Sequence, residues 1–470
     1  MDAVKLLTAA TPLTVVIVLL VLRMRAWIAA AVGLTIATVA TATMFTAPYS
    51  VLVEGGARML PTIVTVAAIL LGGVTLSHIM VNSGAQDVIA DAILARCGNG
   101  IRALLLIVFG ITPFAESVTG FGLGVVVAIP LLRRLGHSPA RSAVIALLGL
   151  VLVPWGSLGP GTLVAASLGN ISFHDLGVWS AVLTLPVLLA AGTAILLTAY
   201  GRAGLSMHWA PTLAVAVFTW GVLCAANLFL ETSLAGVLTS LTVLGFLATV
   251  KRSHAFTRTV GLIRALSPYA LLTVGLLSCD LVLREAPSSP WVSIAISPAT
   301  WLLLTACATP ALLRIPTTTL PRLLRRSVAA WIPLTATTVL FLILGALMAT
   351  NGMSESLAAA AAHLGPAYAA LAPLIGAVGG YVTGSNTGAS AMFAGTTSTA
   401  ATTIGLDPVT VLAGQNVAGS YAIIASPARI AFATTIAGTT LTRNAHRTLA
   451  LTLTSTITAL AIAAFALTGT

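Results

Sequence analysis

Glu116 stands in the stretch FAESVTGFGLGVVVAIP, residues 114–130, with hydrocarbon side chains on both sides of it. A carboxylate at membrane depth costs about 2.5–3.5 kcal/mol to insert, so one that is kept there has a role. A carboxyl group that gains a proton in an apolar cavity and loses it to water is a proton carrier. Directly after it come Thr119, Gly120 and Gly122. Glycines let the backbone unwind, and an unwound helix start offers free N–H groups to an anion. Two negative charges close together in a poorly polarisable cavity repel strongly, so an anion bound beside Glu116 draws in a proton. That is the elementary form of symport.

A second cluster lies in residues 380–403, GYVTGSNTGASAMFAGTTSTAATT, where small hydroxyl and amide groups gather: Thr383, Ser385, Asn386 and Thr387 sit between glycines. Such a run is a poor continuous helix, and exposed backbone at membrane depth is tolerated only inside protein or along a cavity. The bland reading of the same residues is helix packing through small side chains. Residues 414–432 add Gln415, Asn416, Ser420, Ser426 before a proline, and Arg429 between apolar runs. An arginine there needs an anionic partner or an exit to the interface. The corresponding stretch of the first half, VLVPWGSLGPGT (151–162), holds few polar side chains, and its Trp155 and Pro160 read as cavity wall. The candidate substrate-binding set is therefore Thr119, Gly120, Gly122, Thr383, Ser385, Asn386, Thr387, Asn416, Ser426 and Arg429, with Glu116 as the proton-coupling group. His78 reads as a helix-end residue, Asp280 beside Arg284 and His208 beside Trp209 as interface residues. No metal-ligand spacing, nucleotide loop or nucleophile–base pair stands out, so no cofactor is expected.

The elements that hold these groups follow from the composition. Of 470 residues, 58% are hydrophobic and 7% charged, where a soluble domain carries about 25% charged residues. A helix crosses a bilayer with roughly 20 apolar residues, and such stretches recur throughout, near 8–22, 26–47, 61–81, 102–115, 118–132, 142–157, 178–199, 211–230, 232–250, 268–283, 292–312, 328–349, 366–382, 408–424, 426–440 and 448–467. The net charge of +11 sits in short breaks such as RRLGHSPAR (133–141), KRSHAFTRTVGLIR (251–264) and RIPTTTLPRLLRR (314–326). That is the pattern of loops held on the cytoplasmic side, and it argues against nucleic acid. The four cysteines are scattered, with no CxxC pair. The first apolar run lacks a small-residue cleavage site and reads as a retained helix. The expected fold is an all-α polytopic membrane protein, a single domain over 1–470, with about 12–14 transmembrane helices, some of them broken or re-entrant.

Two parts of the chain share a layout. In 61–200 and again in 328–470, a long apolar helix is followed by a polar stretch, an apolar span, a glycine-containing break, another apolar segment and an Xaa-Pro start, Ser138-Pro139 or Asp407-Pro408. Counting crossings with basic loops inside puts 82–100 on the cytoplasmic side and 350–365 on the outer side, so the two repeats are inverted. Paired interrupted helices in inverted halves are the sequence sign of a secondary transporter's binding site.

At these breaks the chain resembles the bacterial L-lactate permease family. FAESVTGFGLGVVVAIPLL is similar to the family's first-half segment, YVTGSNTGASAMFAGTTSTAATTIGLDPVTVLA to its second-half segment, and ASPARIAFATTIAG to the Ser-Pro segment that follows. The resemblance covers most of the sequence. It implies proton-coupled uptake of lactate, glycolate or related 2-hydroxy monocarboxylates across the bacterial cytoplasmic membrane, in a fold of the ion-transporter type. Where the family usually has Ser-Asp-Thr, this chain has Ser385-Asn386-Thr387.

The expected partners are a small organic anion, protons and the lipid bilayer. A homodimer stays open, since lipid-facing and partner-facing apolar surfaces look alike. Alternatives are a transporter of another organic anion with Na+ coupling or exchange, and an anion channel. A channel calls for rings of repeated filter residues, whereas the two halves here carry unlike motifs. An enzyme needs a convergent acid, base and nucleophile or metal set, and Glu116 has no such company.

Overall fold

A computed structural model describes residues 3–97, 100–120, 122–249, 259–283, 286–287 and 289–468. Phe121, Arg284 and the basic residues 251–258 lie outside the described residues. Every regular element described is helical, as a chain must be whose backbone has no water to bond to in the hydrocarbon layer. Nine of the described helices are long and apolar enough to cross a membrane, and three shorter apolar ones accompany them. Among the nine, Leu185–Phe229 has 45 residues, bent at Gly201. At 1.5 Å per residue a helix of that length is about twice the thickness of a hydrocarbon core, so it holds two of the spans read from the sequence.

The glycine-containing breaks turn the chain back on itself. Ile101–Thr119 runs in and Leu123–Arg134 returns beside it as a helix of 12 residues, so the apolar stretch 118–132 is the returning arm of a hairpin. Gly122 sits at φ +85 in the left-handed region, which L side chains avoid, and it starts the returning arm. The arms touch: a Cβ on Gly124 would lie 2.5 Å from the Thr112 carbonyl oxygen, so only glycine lets them close. The hairpin's open end is tied by an ion pair between Arg134 and Asp91. Within the first arm, Leu106–Ile111 forms a π turn, and the Thr112 hydroxyl donates to the Ile107 carbonyl at 2.8 Å. Pro113, one residue on, lacks an N–H and crowds the preceding turn, which is what a wider turn relieves.

The second hairpin is Tyr368–Thr383 and Asn386–Ile404, reversing at Gly384 and Ser385. The Ser385 hydroxyl caps the returning arm by accepting from the Gly388 N–H at 3.3 Å. After each hairpin comes a broken helix. Pro139–Leu148 breaks at residues 149–159 and restarts as Pro160–Gly169, while Pro408–Ala422 breaks at 423–426 and restarts as Pro427–Ala437. Ser138 and Asp407 cap the first segments. Proline opens all four segments, where its missing N–H costs nothing. The stretch 142–157, read as one span, is thus the end of a 10-residue helix plus the irregular break after it.

Packing crosses between the halves. The returning arm Leu123–Arg134 lies against Pro427–Ala437, and the returning arm Asn386–Ile404 lies against Pro160–Gly169. The long helices Tyr49–Asn82 and Leu320–Thr350 also lie against each other. One apolar core, with Phe109, Trp155 and Phe341 fully buried, runs through these contacts. Side chains such as Trp291 and Val282 face outward, as expected of a lipid-facing surface.

Candidate functional site

Both hairpin tips converge on the start of Pro427–Ala437. Arg429 is the third residue of that helix, and its Nε donates to the Gly384 carbonyl of the second tip at 3.4 Å. Its guanidinium also covers Gly122 of the first tip, where a Cβ would lie 2.3 Å from Nη1. Ser426 caps the same helix through the Arg429 N–H at 3.2 Å and lies against Gly384. One side chain therefore touches both breaks that the sequence singles out. Among the described residues no carboxylate lies within ion-pair distance of Arg429.

Glu116 is 4% exposed. Its Oε1 accepts from the Gly122 N–H at 3.1 Å and its Oε2 from the Gly124 N–H at 3.3 Å. The sequence reading has these N–H groups facing a bound anion; in this conformation the protein's own carboxylate occupies them. The reason is geometric: the tight turn folds the returning arm's first N–H groups over the side chain one turn before the break, and a helix start attracts any nearby carboxylate. The negative charge of Glu116 and the positive charge of Arg429 thus lie on two sides of Gly122, without forming an ion pair.

The second focus is a buried amide network. The Asn386 amide, at the start of the second returning arm, donates to Asn416 Oδ1 at 3.0 Å. The Asn416 amide in turn donates to Thr162 Oγ1 at 3.1 Å and Ser180 Oγ at 3.0 Å. Asn386 Oδ1 is left without a donor although the residue is 7% exposed. A buried acceptor in that state carries a desolvation cost of about 1–3 kcal/mol unless something else bonds to it. The oxygen of Gln415 and the hydroxyl of Ser420 on Pro408–Ala422 are likewise unpaired.

The remaining predicted residues are spent locally. The Thr119 hydroxyl donates to the Ala115 carbonyl of its own helix. Thr383 donates to the Gly379 carbonyl at 2.6 Å and accepts from the Ser385 N–H at 3.2 Å. Thr387 is buried in the first turn after Asn386. Gly120 lies against Ser157, within the first broken helix. Trp155 is fully buried and donates to Asn227 Oδ1 at 3.1 Å. His78 meets Ser327 Oγ at 3.1 Å, and the His208 ring stacks edge-on with Tyr200. Sequence reasoning missed Thr162 and Ser180, single hydroxyls in apolar runs. Their one signal is that Thr162 follows the helix-starting proline as Arg429 follows Pro427.

A family model described as L-lactate permease matches residues 5–277 and 276–468. An L-lactate permease of Halalkalibacterium halodurans is 27% identical over 423 residues, covering 79% of each chain. One of Salmonella typhi is 25% identical over 452 residues, again covering 79% of each. Over a shorter segment of 88 residues, 19% of this chain and 16% of the other, an L-lactate permease of Escherichia coli is 36% identical. With the family model spanning both hairpins and both broken helices, the chain belongs to the L-lactate permease family of integral membrane proteins.

Proposed function

We propose that the protein imports small 2-hydroxy monocarboxylates, lactate or glycolate among them, by proton symport across the bacterial cytoplasmic membrane. The observation that carries this is Arg429, a guanidinium resting on both hairpin tips with no carboxylate among the described residues within ion-pair distance. It presents a planar donor fork to a carboxylate. Asn386 follows Gly384 by two residues, about 7 Å along the chain, and its unpaired Oδ1 accepts the substrate's 2-hydroxyl. A carboxylate with a hydroxyl on the adjoining carbon, bonded from two sides, describes a 2-hydroxy acid.

Glu116 supplies the coupling. Ionised, it occupies the Gly122 and Gly124 N–H groups. Protonated, it holds them more weakly, because charge-assisted hydrogen bonds are about twice as strong as neutral ones. Those N–H groups then turn to the substrate's carboxylate on the Arg429 side. Proton and anion enter the site together, and neither is favoured alone.

Two contacts support inverted repeats. The first hairpin opens at the end of the bundle where Arg134 meets Asp91 and where Tyr200 meets His137. The second hairpin opens toward Asp407, which shares a cleft with His174. Residues 173–200 separate those two ends, about 40 Å of helix. With the basic loops inside, the first hairpin enters from the cytoplasm and the second from outside. Alternating access then rocks the halves about the shared tips.

Uptake of labelled lactate, glycolate and propionate into proteoliposomes, with and without an inward proton gradient, tests the reading. Accumulation of the two hydroxy acids driven by the gradient, with propionate poorly taken up, is the expected result. Equilibration without accumulation, or accumulation that follows Na+ instead, overturns it.

A further inference from the structure

A groove of about 470 Å³ opens at the end of the bundle that holds Asp407, lined by His174, Glu231, Asp280 and Leu228 among others. An adjoining cleft of about 290 Å³ shares His174 and Leu228 and adds Asp175 and Asp407. In a chain with a net charge of +11 and 11 acidic residues in all, four of those acids surround this one opening.

From its floor a series of buried hydroxyls leads inward. Thr232 and Ser233 follow Glu231 at the start of Thr232–Thr249, and each is 1% exposed. Thr232 lies against Gly177, one turn along the helix from His174, and Asn227 Oδ1 lies against the same glycine. Gly236, three residues after Ser233 and so on the same helix face, is in contact with both Ser117 and Trp155. Ser117 adjoins Glu116. Ser157 lies against Gly120, and its neighbour Gly156 against the Glu116 side chain. The hydroxyl oxygens of Thr232, Ser233, Ser117 and Ser157 are all buried and all without a hydrogen-bond partner. Buried polar groups are paired in the great majority of cases, so four orphans on elements packed together, between a groove and a buried carboxylate, call for a common explanation.

We propose that these hydroxyls form a proton route from the groove to Glu116, separate from the path of the substrate. It rests on the proton-symport reading of Glu116. Waters that bridge the gaps between the hydroxyls complete the relay: each hydroxyl takes a proton on its groove side and releases its own on the other, and the last proton joins the Glu116 carboxylate. Among the described residues, the ionisable groups facing the route are His174, Glu231 and Asp280 at the groove, Asp175 and Asp407 in the adjoining cleft, and Glu116 at the inner end, with Arg429 beyond Gly122. The Trp155 indole, bonded to Asn227 midway, closes the route to anything larger than water. In the inverted arrangement the mouth faces outside, where an importing symporter takes its proton.

The test is Ser117→Ala with Ser233→Ala in proteoliposomes. Two rates are read from the same vesicles: exchange of labelled for unlabelled lactate at equal pH, which needs no net proton movement, and accumulation driven by an inward proton gradient. The expected result is exchange within twofold of the parent and accumulation slowed at least fivefold. Ser117→Thr with Ser233→Thr, which keeps the hydroxyls, restores it. Accumulation at the parental rate in the alanine variant overturns the route alone, as does equal loss of both rates in alanine and threonine variants. A parent that exchanges lactate yet ignores the proton gradient overturns the symport reading and the route with it. If the paired alanine variant does not fold, the same two rates are read for Ser117→Ala and Ser233→Ala singly. Slowed accumulation with parental exchange in either is expected, and parental accumulation in both refutes the proposal.

Discussion

Gly122→Ala separates the arginine clamp from every other role of the first hairpin tip. The new methyl group would lie 2.3 Å from Arg429 Nη1, closer than such contacts are found, and a tight 3.1 Å from Phe432 Cε1, so the guanidinium must move. Backbone strain adds to this, since Gly122 sits at φ +85, where an L side chain costs about 1–2 kcal/mol. A hydrogen bond to a charged group contributes about 1.5–3 kcal/mol. At 1.4 kcal/mol per tenfold, displacing Arg429 from the substrate weakens binding roughly 10- to 150-fold. Gly120→Ala is the matched control: φ is +68, and the methyl strikes Ser157 instead of Arg429. The assay is the concentration dependence of lactate exchange for Gly122→Ala, Arg429→Ala and the pair of changes together. If the methyl acts through the guanidinium, Gly122→Ala loses most of its effect once Arg429 is gone, because contacting residues are not additive. Equal losses from Gly122→Ala in the presence and absence of Arg429 would refute the clamp, and so would an unchanged half-saturation in Gly122→Ala itself.

Glu116→Gln keeps an acceptor for only one of the two N–H groups and carries no charge; lactate exchange is expected to continue while accumulation in a pH gradient disappears, read by parallel uptake traces. Asn386→Asp puts a carboxylate about 7 Å along the chain from the Arg429 contact at Gly384; it is expected to make exchange steeply pH-dependent, failing at alkaline pH, and a flat profile from pH 5 to 9 would remove position 386 from the site. Asn416→Leu leaves the Asn386 amide and the Ser180 hydroxyl without a partner, while Thr162 keeps its bond to the Pro154 carbonyl at 2.7 Å; it should destabilise the protein by about 1–3 kcal/mol for each stranded buried group, and a melting temperature in detergent equal to the parent's would show that the network is not structural.

The parts of this site that are legible in the sequence are those whose residue types are costly in lipid. Glu116, Arg429 and the glycines around residues 120 and 384 stand out because charge and irregular backbone are rare among apolar spans. The network partners Thr162 and Ser180 do not, because a lone hydroxyl in a membrane helix can bond its own preceding turn and needs no other reason to be there. The hairpins are half legible. Breaks at residues 120–122 and 384–385 are marked by glycine, but whether a chain crosses or turns back depends on the backbone angles at those glycines, which carry no side chain to signal them. The same applies to the occupancy of the Gly122 and Gly124 N–H groups by Glu116: the residues lie six and eight positions apart in sequence, and only the turn's geometry decides what they bond.

The π turn at Leu106–Ile111 has a consequence for sequence change. Such a turn closes one circle with one residue more than the helix around it, so the segments on either side keep the phase of an uninterrupted helix. Glu116 therefore faces the returning arm while Arg102 stays bonded to the Leu247 carbonyl at the far end. Deleting a single residue from 106–111 would close the turn to an ordinary helical one and leave that alignment in place. Inserting a further residue would rotate Glu116 by about 100° relative to Arg102, away from the Gly122 and Gly124 N–H groups. This segment should therefore tolerate the loss of one residue far better than the gain of one.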